Sequence, residues 1–273
     1  MVDWSGGNDT GPRPRKDAIW AGEARGSTEQ EPVYLRNRVV AFDWLIDVIQ
    51  DALNHDERLF IGFDFPFGYP VGFAKSVTGR DDPFAIWRLI ADALVDTPKG
   101  NSRFDLAGEL NARFPGTGPF WFNAIRREIP HLPRKGRARR AHGMKERRLC
   151  EERAKGAFTC WQMGGAGAVG GQIMTGIAVL EQLRRRFPGK IGVWPFDLAD
   201  QQIGFVEIWP SLISDRVAKE NDTIKDRAQV RLLARALARL PSKALQDMLD
   251  VDAPIEGWIL GLGHEDVLKE VIC

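Results

Sequence analysis

Apolar residues follow a helical period in some segments of this chain and form short continuous runs in others. Over residues 39–54 they follow the helical period of about 3.6 residues, and Asn37 is placed to cap the predicted helix. Residues 59–63 are a short apolar run that ends in Asp64, and the Pro and Gly residues that follow exclude helix. This run therefore predicts a buried strand that opens into a loop.

The same pattern predicts more strands on both sides of that helix. Residues 18–21 and 32–35 read as hairpin strands, since turn-forming residues separate them. Residues 191–194 and 204–209 predict two later strands, after a helix over about 173–187. An amphipathic helix that ends before Pro241 follows. The fold class expected is α/β, with a mixed sheet and flanking helices.

The middle of the chain differs from this pattern. Residues 84–94 and 106–114 predict helices, but a run of Pro and Gly at 115–119 interrupts the periodicity. We interpret the chain as a single domain, residues 1–273, with a helical and basic insertion at about residues 71–160.

The composition of the chain is typical of a globular protein and not of a membrane-spanning one. Of 273 residues, 44% are hydrophobic and 27% charged, and no apolar run approaches the roughly 20 residues that span a bilayer. The first residues lack a secretory signal, so we expect a cytoplasmic protein without a membrane partner. Cys150, Cys160 and Cys273 show no metal-site spacing and predict unpaired thiols.

Basic residues are concentrated in one segment. Residues 126–155 contain 12 Lys or Arg against 4 Glu, although the formal net charge of the chain is only +1. Such a segment suits nucleic acid or another phosphate-bearing partner, and a solvated surface is the alternative.

Three carboxylates lie in or at the end of apolar runs: Asp3, Asp64 and Glu207. An ionised carboxylate among apolar neighbours needs a cation or strong donors. Side by side, the three would repel one another unless a divalent metal neutralised them. Oxygen ligands without Cys or His favour Mg or Mn, which usually serve phosphoryl transfer or phosphodiester hydrolysis. A single strand-end acid is also explained by a loop cap or an arginine ion pair.

Three segments carry a resemblance to a known family. They are Asp3-Trp4-Ser5-Gly6, the segment from Gly62 to Pro70 that reads GFDFPFGYP, and Val206-Glu207-Ile208-Trp209-Pro210-Ser211. In order and spacing they resemble an uncharacterised bacterial family of predicted nucleases with a ribonuclease H-like fold. Relatives sometimes carry a molybdopterin-guanine dinucleotide or cobalamin biosynthesis label, which no residue pattern here supports.

The resemblance assigns roles to particular residues. It implies that an aspartate on the first strand of a hairpin sheet and an acid on the strand after the first helix hold metals, here Asp3 and Asp64. Glu207 matches the family's acid before an aromatic-Pro pair. A fourth ligand from a late helix is implied, with Asp226 preferred over Asp252 and Glu256. One departure is that two residues precede Asp3, whereas the fold expects most of a strand.

A glycine-rich turn at 164–171 offers a different chemistry. Gly165, Gly167 and Gly170 satisfy the GxGxxG pattern, after a predicted strand at 158–163 and before a helix. Three interpretations stay open: a tight turn for close packing, a phosphate site at the helix N-terminus, and a dinucleotide site.

Together these features favour metal-dependent phosphodiester hydrolysis by Asp3, Asp64, Glu207 and Asp226, with Mg or Mn as cofactor. One alternative is an actin-like-fold phosphotransferase that binds a nucleotide at the glycine-rich turn. Another is a non-catalytic module that binds nucleic acid or a partner.

Overall fold

The fold is described from a computed structural model, which describes residues 1–97 and 99–272. Its first part contains β1 (Val2–Asp3), β2 (Ile19–Ala21), β3 (Ala24–Arg25), β4 (Thr28–Glu29), β5 (Val33–Arg36), α1 (Arg38–Asn54) and β6 (Leu59–Phe63). Then come α2 (Phe73–Thr78), α3 (Pro83–Ala93), β7 (Asp96–Thr97), β8 (Gly100–Asn101), α4 (Arg103–Asn111), α5 (Leu149–Arg153) and α6 (Gly170–Arg186). The last elements are β9 (Ile191–Val193), β10 (Ile203–Glu207), α7 (Ser214–Val217), α8 (Lys225–Arg239), α9 (Ser242–Leu249) and α10 (Glu265–Ile272).

The chain forms two compact units. The first consists of Met1–Asp64, Phe187–Asp252 and Trp258–Cys273, and the second of Phe65–Arg186 with Ala253–Gly257. The second unit is longer than the insertion expected at 71–160. It runs to Arg186 because α6 packs against α3 and α4.

The first unit is built on a mixed six-stranded sheet with flanking helices. The strand order is β5-β2-β1-β6-β10-β9. β2 is antiparallel to both β1 and β5, whereas β1, β6, β10 and β9 run parallel. The sequence prediction of an α/β protein with a mixed sheet is therefore confirmed.

Strand register decides which side chains share a face of this sheet. Val2 of β1 lies opposite Phe63 of β6, and Phe63 lies opposite Glu207 of β10. Since side chains alternate along a strand, these three point to one face and Asp3 points to the other. Helix α8 covers the face of Asp3, where Gln229 contacts that aspartate.

Local sequence explains why the predicted elements form. The Asn37 side chain accepts from the amides of Val39 and Val40, which caps α1 as predicted. Strands β2, β5, β6, β9 and β10 and helices α3, α4, α6 and α8 also lie where the apolar pattern placed them, within a few residues. The first strand has two residues, Val2 and Asp3.

An aromatic core fills the second unit. Tyr69 and Phe73 have ring centroids 4.5 Å apart, and Trp161 packs against Phe120 at 5.1 Å. Nearby in the same unit, Arg148 and Glu151 form a buried ion pair of 2.8 Å.

Two further expectations concern thiols and the bilayer. Within the described residues, Cys150 and Cys160 are buried and form no disulfide, as predicted, whereas Cys273 lies outside the described residues. Within the described part of the chain, no helix combines the length and the apolar character that crossing a membrane requires.

Candidate active site

Two adjacent parallel strands bring Asp3 and Asp64 together. Asp3 is the last residue of β1, and Asp64 directly follows β6. The carboxyl ends of parallel strands meet at the same edge of a sheet, so both acids lie at one edge. Asp3 is 8% exposed and Asp64 is half-buried.

Neutral hydrogen-bond donors contact both of these carboxylates. The amide of Trp4 donates to Asp64 Oδ1 at 2.6 Å. The side-chain amide of Gln229 donates to Asp3 Oδ2 at 2.9 Å. These donors orient the two acids without neutralising their charge.

Two more carboxylates complete what we call the acidic cluster: Asp3, Asp17, Asp64 and Asp226. The Asp226 carboxylate lies in the first turn of α8 and accepts from the amide of Asp17 at 2.9 Å. Asp17 has a left-handed backbone (φ 58°), a conformation that Asp tolerates better than most residues. Its carbonyl accepts from Ser5 Oγ at 2.7 Å, which fastens this loop beside β1.

Burial and mutual repulsion make the cluster reluctant to ionise. Burial raises the pKa of Asp3 well above its usual range, and the negative charges of Asp64 and Asp226 raise it further. Burial also raises the pKa of Asp64 to about 7, against the opposing effect of the Trp4 amide. Because the pKa of Asp64 is about 7, this carboxyl holds its proton for part of the time near neutral pH.

Within the part of the chain that the structure describes, no basic side chain forms an ion pair with these acids. Among residues 1–97 and 99–272, no Lys, Arg or His lies within ion-pair distance of Asp3, Asp64 or Asp226. The arginine ion pair considered from the sequence for strand-end acids is thus excluded for Asp3 and Asp64 in the described structure. A proton or an added cation must supply the missing positive charge.

The donor set suits a hard divalent cation. Every side-chain ligand available in the acidic cluster is a carboxylate oxygen, the type that Mg and Mn prefer. In the described part of the chain, no group of three or more His, Cys, Asp or Glu residues converges as a metal site would require. Mg needs fewer protein ligands, since one or two carboxylates with water and substrate phosphates usually hold it. Asp3 and Asp64 meet that smaller requirement.

Glu207 does not join the cluster. Glu207 lies opposite Phe63 of β6, and Phe63 is the residue before Asp64. The Glu207 side chain therefore points to the face of the sheet opposite to that of Asp3. Its side chain is buried there. The sequence grouping of Glu207 with Asp3 and Asp64 is therefore corrected: a buried acid on a neighbouring strand belongs to a site only if the register turns it to the same face.

Of the three candidates for a fourth acid, Asp226 is the one in the cluster. Glu256 belongs to the second unit, where its carboxylate accepts from the amides of Val71 and Leu149 at 2.7 Å each. No interaction ties Asp252 to Asp3 or Asp64 among the described residues.

Other atoms of the protein fill the space beside the glycines of the glycine-rich turn. The strand predicted at 158–163 is wrong: apart from a single bridge between Trp121 and Gln162, this segment has no strand. A side chain at Gly167 would overlap the Phe158 ring, and one at Gly170 would lie 2.8 Å from the Cys160 carbonyl oxygen. Gly165 meets the Phe122 ring in the same way. These contacts favour the tight-turn interpretation over a dinucleotide site.

Arginines of the basic segment form hydrogen bonds and ion pairs within the second unit. Arg134 donates to the carbonyls of Asn123, Ile125 and Arg126 and pairs with Glu128. Arg139 pairs with Glu146 and donates to the Pro119 carbonyl. These arginines stabilise segments without regular secondary structure. This role accounts for part of the positive charge of the basic segment, and it requires no binding partner.

Comparison with protein-family models, with curated proteins and with solved structures finds no match to this chain. The acidic cluster is therefore the feature of this chain that indicates its function.

Sequence reasoning missed two members of the site. Asp17 lies in a polar, Pro-rich stretch with no periodicity, and Gln229 lies within an ordinary amphipathic helix. One signal was available for Gln229: it is three residues after Asp226, so both share a face of α8.

Proposed function

We propose that this protein is a metal-dependent phosphodiester hydrolase whose active centre is the acidic cluster. The observation that carries the proposal is the pairing of Asp3 with Asp64 at one sheet edge, without a basic partner in the described structure. Burying two such acids side by side destabilises the fold, so a function that needs them is the economical explanation.

Asp3 and Asp64 are the residues that would hold Mg or Mn. When bound, the cation supplies charge neutralisation and activation of water for attack on a phosphodiester. Both carboxyls must release their protons to bind it, which makes affinity depend on pH. Gln229 orients Asp3, and the Trp4 amide orients Asp64.

Asp226 and Asp17 affect the electrostatics of Asp3 and Asp64. Their negative charges raise the pKa of Asp3, and Asp226 also raises that of Asp64. They strengthen the attraction for a cation without themselves being placed as its ligands. Asp226 is held in position by the Asp17 amide and by the positive end of the α8 dipole.

The sheet supports the family resemblance. An aspartate on the first strand of a hairpin sheet and an acid after the strand that follows the first helix are both present, at Asp3 and Asp64. We infer a ribonuclease H-like core on this basis, with DNA or RNA as the substrate class.

Hydrolysis assays test the proposal directly. The full-length chain is incubated with Mg or Mn and with single-stranded DNA, single-stranded RNA or bis(p-nitrophenyl) phosphate. Asp64→Asn keeps an oxygen for the Trp4 amide but removes the charge, and we expect activity to fall by about 100-fold or more. Asp47→Asn, at an exposed position of α1, is the matched control and keeps full activity. Activity that survives in folded Asp64→Asn contradicts the proposal.

A further inference from the structure

Two phenylalanine rings lie against the glycine-rich turn of the second unit. Phe158 is 52% exposed and Phe122 is half-buried, whereas most aromatic residues of this unit lie in its core. The Phe122 ring contacts Gly165, and the Phe158 ring contacts Gly167. Two residue steps span at most about 7 Å, so both rings rest close together on one exposed turn. Exposed aromatic side chains that are grouped in this way are typical of binding surfaces.

The backbone of Phe122 adopts a conformation that phenylalanine rarely has. Its φ is 73°, in the left-handed region that favours glycine. The Phe122 amide donates to the Pro133 carbonyl at 2.8 Å, and the neighbouring Trp121 amide donates to the Trp161 carbonyl at 3.1 Å. These bonds hold the strained conformation in place, as is usual at functional sites. Glycine would adopt this φ without strain, so a function of the ring explains why phenylalanine stands here.

Trp121 connects these rings to the cations of the basic segment. Its ring lies 5.8 Å from that of Phe122, measured between centroids. The backbone of Gly136 packs against the Trp121 ring, since a Cβ at Gly136 would lie 3.2 Å from it. Lys135 and Arg137 flank Gly136 in the chain, and both are exposed. Two cations therefore lie beside the exposed rings.

The charge of this surface is complementary to phosphate. Residues 120–140 contain seven Lys or Arg and one acid, Glu128, which pairs with Arg134. Arg139 pairs with Glu146, but in the described structure no carboxylate lies at ion-pair distance from Lys135 or Arg137. These two cations are therefore available to the phosphates of a polyanion.

We propose that Phe122, Phe158, Lys135 and Arg137 form a binding surface for single-stranded nucleic acid, which we call the stacking surface. Unpaired bases stack on the two phenylalanine rings, and the backbone phosphates contact the two cations. A duplex offers its phosphates but keeps its bases stacked on one another, so the surface selects single strands. This inference rests on the proposed function and specifies its substrate as single-stranded.

Fluorescence anisotropy without a divalent metal measures binding separately from hydrolysis. The full-length chain is titrated, in the presence of EDTA, into a labelled DNA strand of mixed sequence, the RNA strand of the same sequence, and the DNA duplex. We expect both single strands to bind at least about tenfold more tightly than the duplex, with affinity that falls as salt is raised. Equal or tighter binding of the duplex, or no binding of either strand, contradicts the proposal. Binding of polyglutamate as tight as that of the strands would also contradict it, because charge alone would then explain the affinity.

Variants of the ring separate stacking from charge. Phe158→Ala should lower the affinity for the single strand by about fivefold or more, and Phe158→Tyr, which keeps a ring, should retain it. Val95→Ala removes an exposed apolar side chain of the same unit and should leave the affinity unchanged. Full affinity in Phe158→Ala, or an equal loss in Phe158→Tyr, contradicts stacking.

A variant of the cation tests the phosphate contact. Arg137→Gln should weaken binding of every sequence alike and lower the slope of log affinity against log salt by about 1. Arg80→Gln, at an exposed position of the same unit, is the control of equal charge and should change neither. An equal effect of the two variants would show that only the net charge matters, which contradicts a defined surface.

Photocrosslinking locates the strand on the unmodified protein. A single strand that contains iodouracil is irradiated with the full-length chain, and the adduct is mapped by mass spectrometry. We expect the adduct at Phe122 or Phe158, and adducts at other residues alone overturn the assignment.

The stacking surface and the hydrolase proposal fail in different ways. Asp64→Asn should bind the single strand in EDTA as the parent chain does. Loss of strand binding, with hydrolysis of bis(p-nitrophenyl) phosphate kept, overturns the stacking surface alone. Strand binding by a parent chain that hydrolyses no substrate overturns the hydrolase proposal and supports a surface that only binds.

Discussion

The amide of Trp4 donates to Asp64 Oδ1, so the acid that follows β6 is fastened to the residue that follows Asp3. This bond joins the ends of two parallel strands and fixes the spacing of the two acids. It also favours the ionised form of Asp64, since a donor to the charged form lowers the pKa of this carboxyl.

Removal of the Asp64 charge should stabilise the protein at alkaline pH. Burial raises the pKa of Asp64 from 3.8 to about 7, so the folded state holds its proton more tightly than the unfolded state. Stability from this group is fully present below about pH 4 and is lost as pH rises through 7. We expect Asp64→Asn to raise the free energy of unfolding at pH 8 by up to about 4 kcal/mol, and to leave it nearly unchanged at pH 4.

Urea unfolding at the two pH values measures this effect. Asp47→Asn on the exposed face of α1 is the control and should shift stability by less than about 0.5 kcal/mol at either pH. If Asp64→Asn were less stable than the parent chain at pH 8, the unfavourable burial of the Asp64 charge would be disproved.

The strands that hold the site could be predicted from the sequence, because their apolar runs have a strong period and clear ends. The site itself could be predicted only in part. Asp3 and Asp64 stand out as acids in apolar surroundings, but the face to which Glu207 points depends on a one-residue difference in register. Asp17 reaches the site through a loop whose course depends on tertiary contacts with Ser5 and Asp226.

Gln229→Leu should weaken cation binding without removing a ligand. The Gln229 amide is the hydrogen bond that stabilises the ionised form of Asp3, so its loss raises the pKa of Asp3 further. We expect affinity for Mn at pH 7 to fall by about tenfold, and to recover as pH is raised. Titration of Mn between pH 6 and 8 measures this, with Gln246→Leu at an exposed position of α9 as control. A deficit that is the same at every pH would show that Gln229 does not act through Asp3.

The buried ion pair between Arg148 and Glu151 in the second unit should contribute to the stability of the fold. Arg148 and Glu151 are 1% and 2% exposed, so removing the Glu151 carboxylate leaves the buried Arg148 charge less well compensated. Glu151→Gln should lower the free energy of unfolding by about 3–5 kcal/mol, and Arg148→Met with Glu151→Leu by clearly less.

The exposed pair of Arg127 with Asp105 in the same unit is the comparison. Its side chains are 57% and 36% exposed, so Arg127→Met should lower stability much less than Glu151→Gln does. Denaturant unfolding of the three variants gives the ranking. A Glu151→Gln effect as small as that of Arg127→Met would contradict a structural role.

Gly167→Ala separates a packed turn from a phosphate-binding loop. Gly167 has φ 71° and its Cα faces the Phe158 ring, so alanine meets both backbone strain and overlap. We expect a loss of about 2–4 kcal/mol in stability. Gly156→Ala has similar strain at φ 95° with no atom within 4 Å, and should lose only about 1–2 kcal/mol. Equal losses, together with saturable ATP binding by the parent chain, would favour the nucleotide interpretation.

Calorimetric titration of Mg and Mn into the full-length chain and into Asp64→Asn tests the central claim most directly. The account predicts saturable binding to the parent chain at pH 7.5, with release of protons from the Asp3 and Asp64 pair, and loss of at least about tenfold in affinity in Asp64→Asn. Equal binding to both chains, or no binding to the parent chain, would contradict a cation site at the acidic cluster.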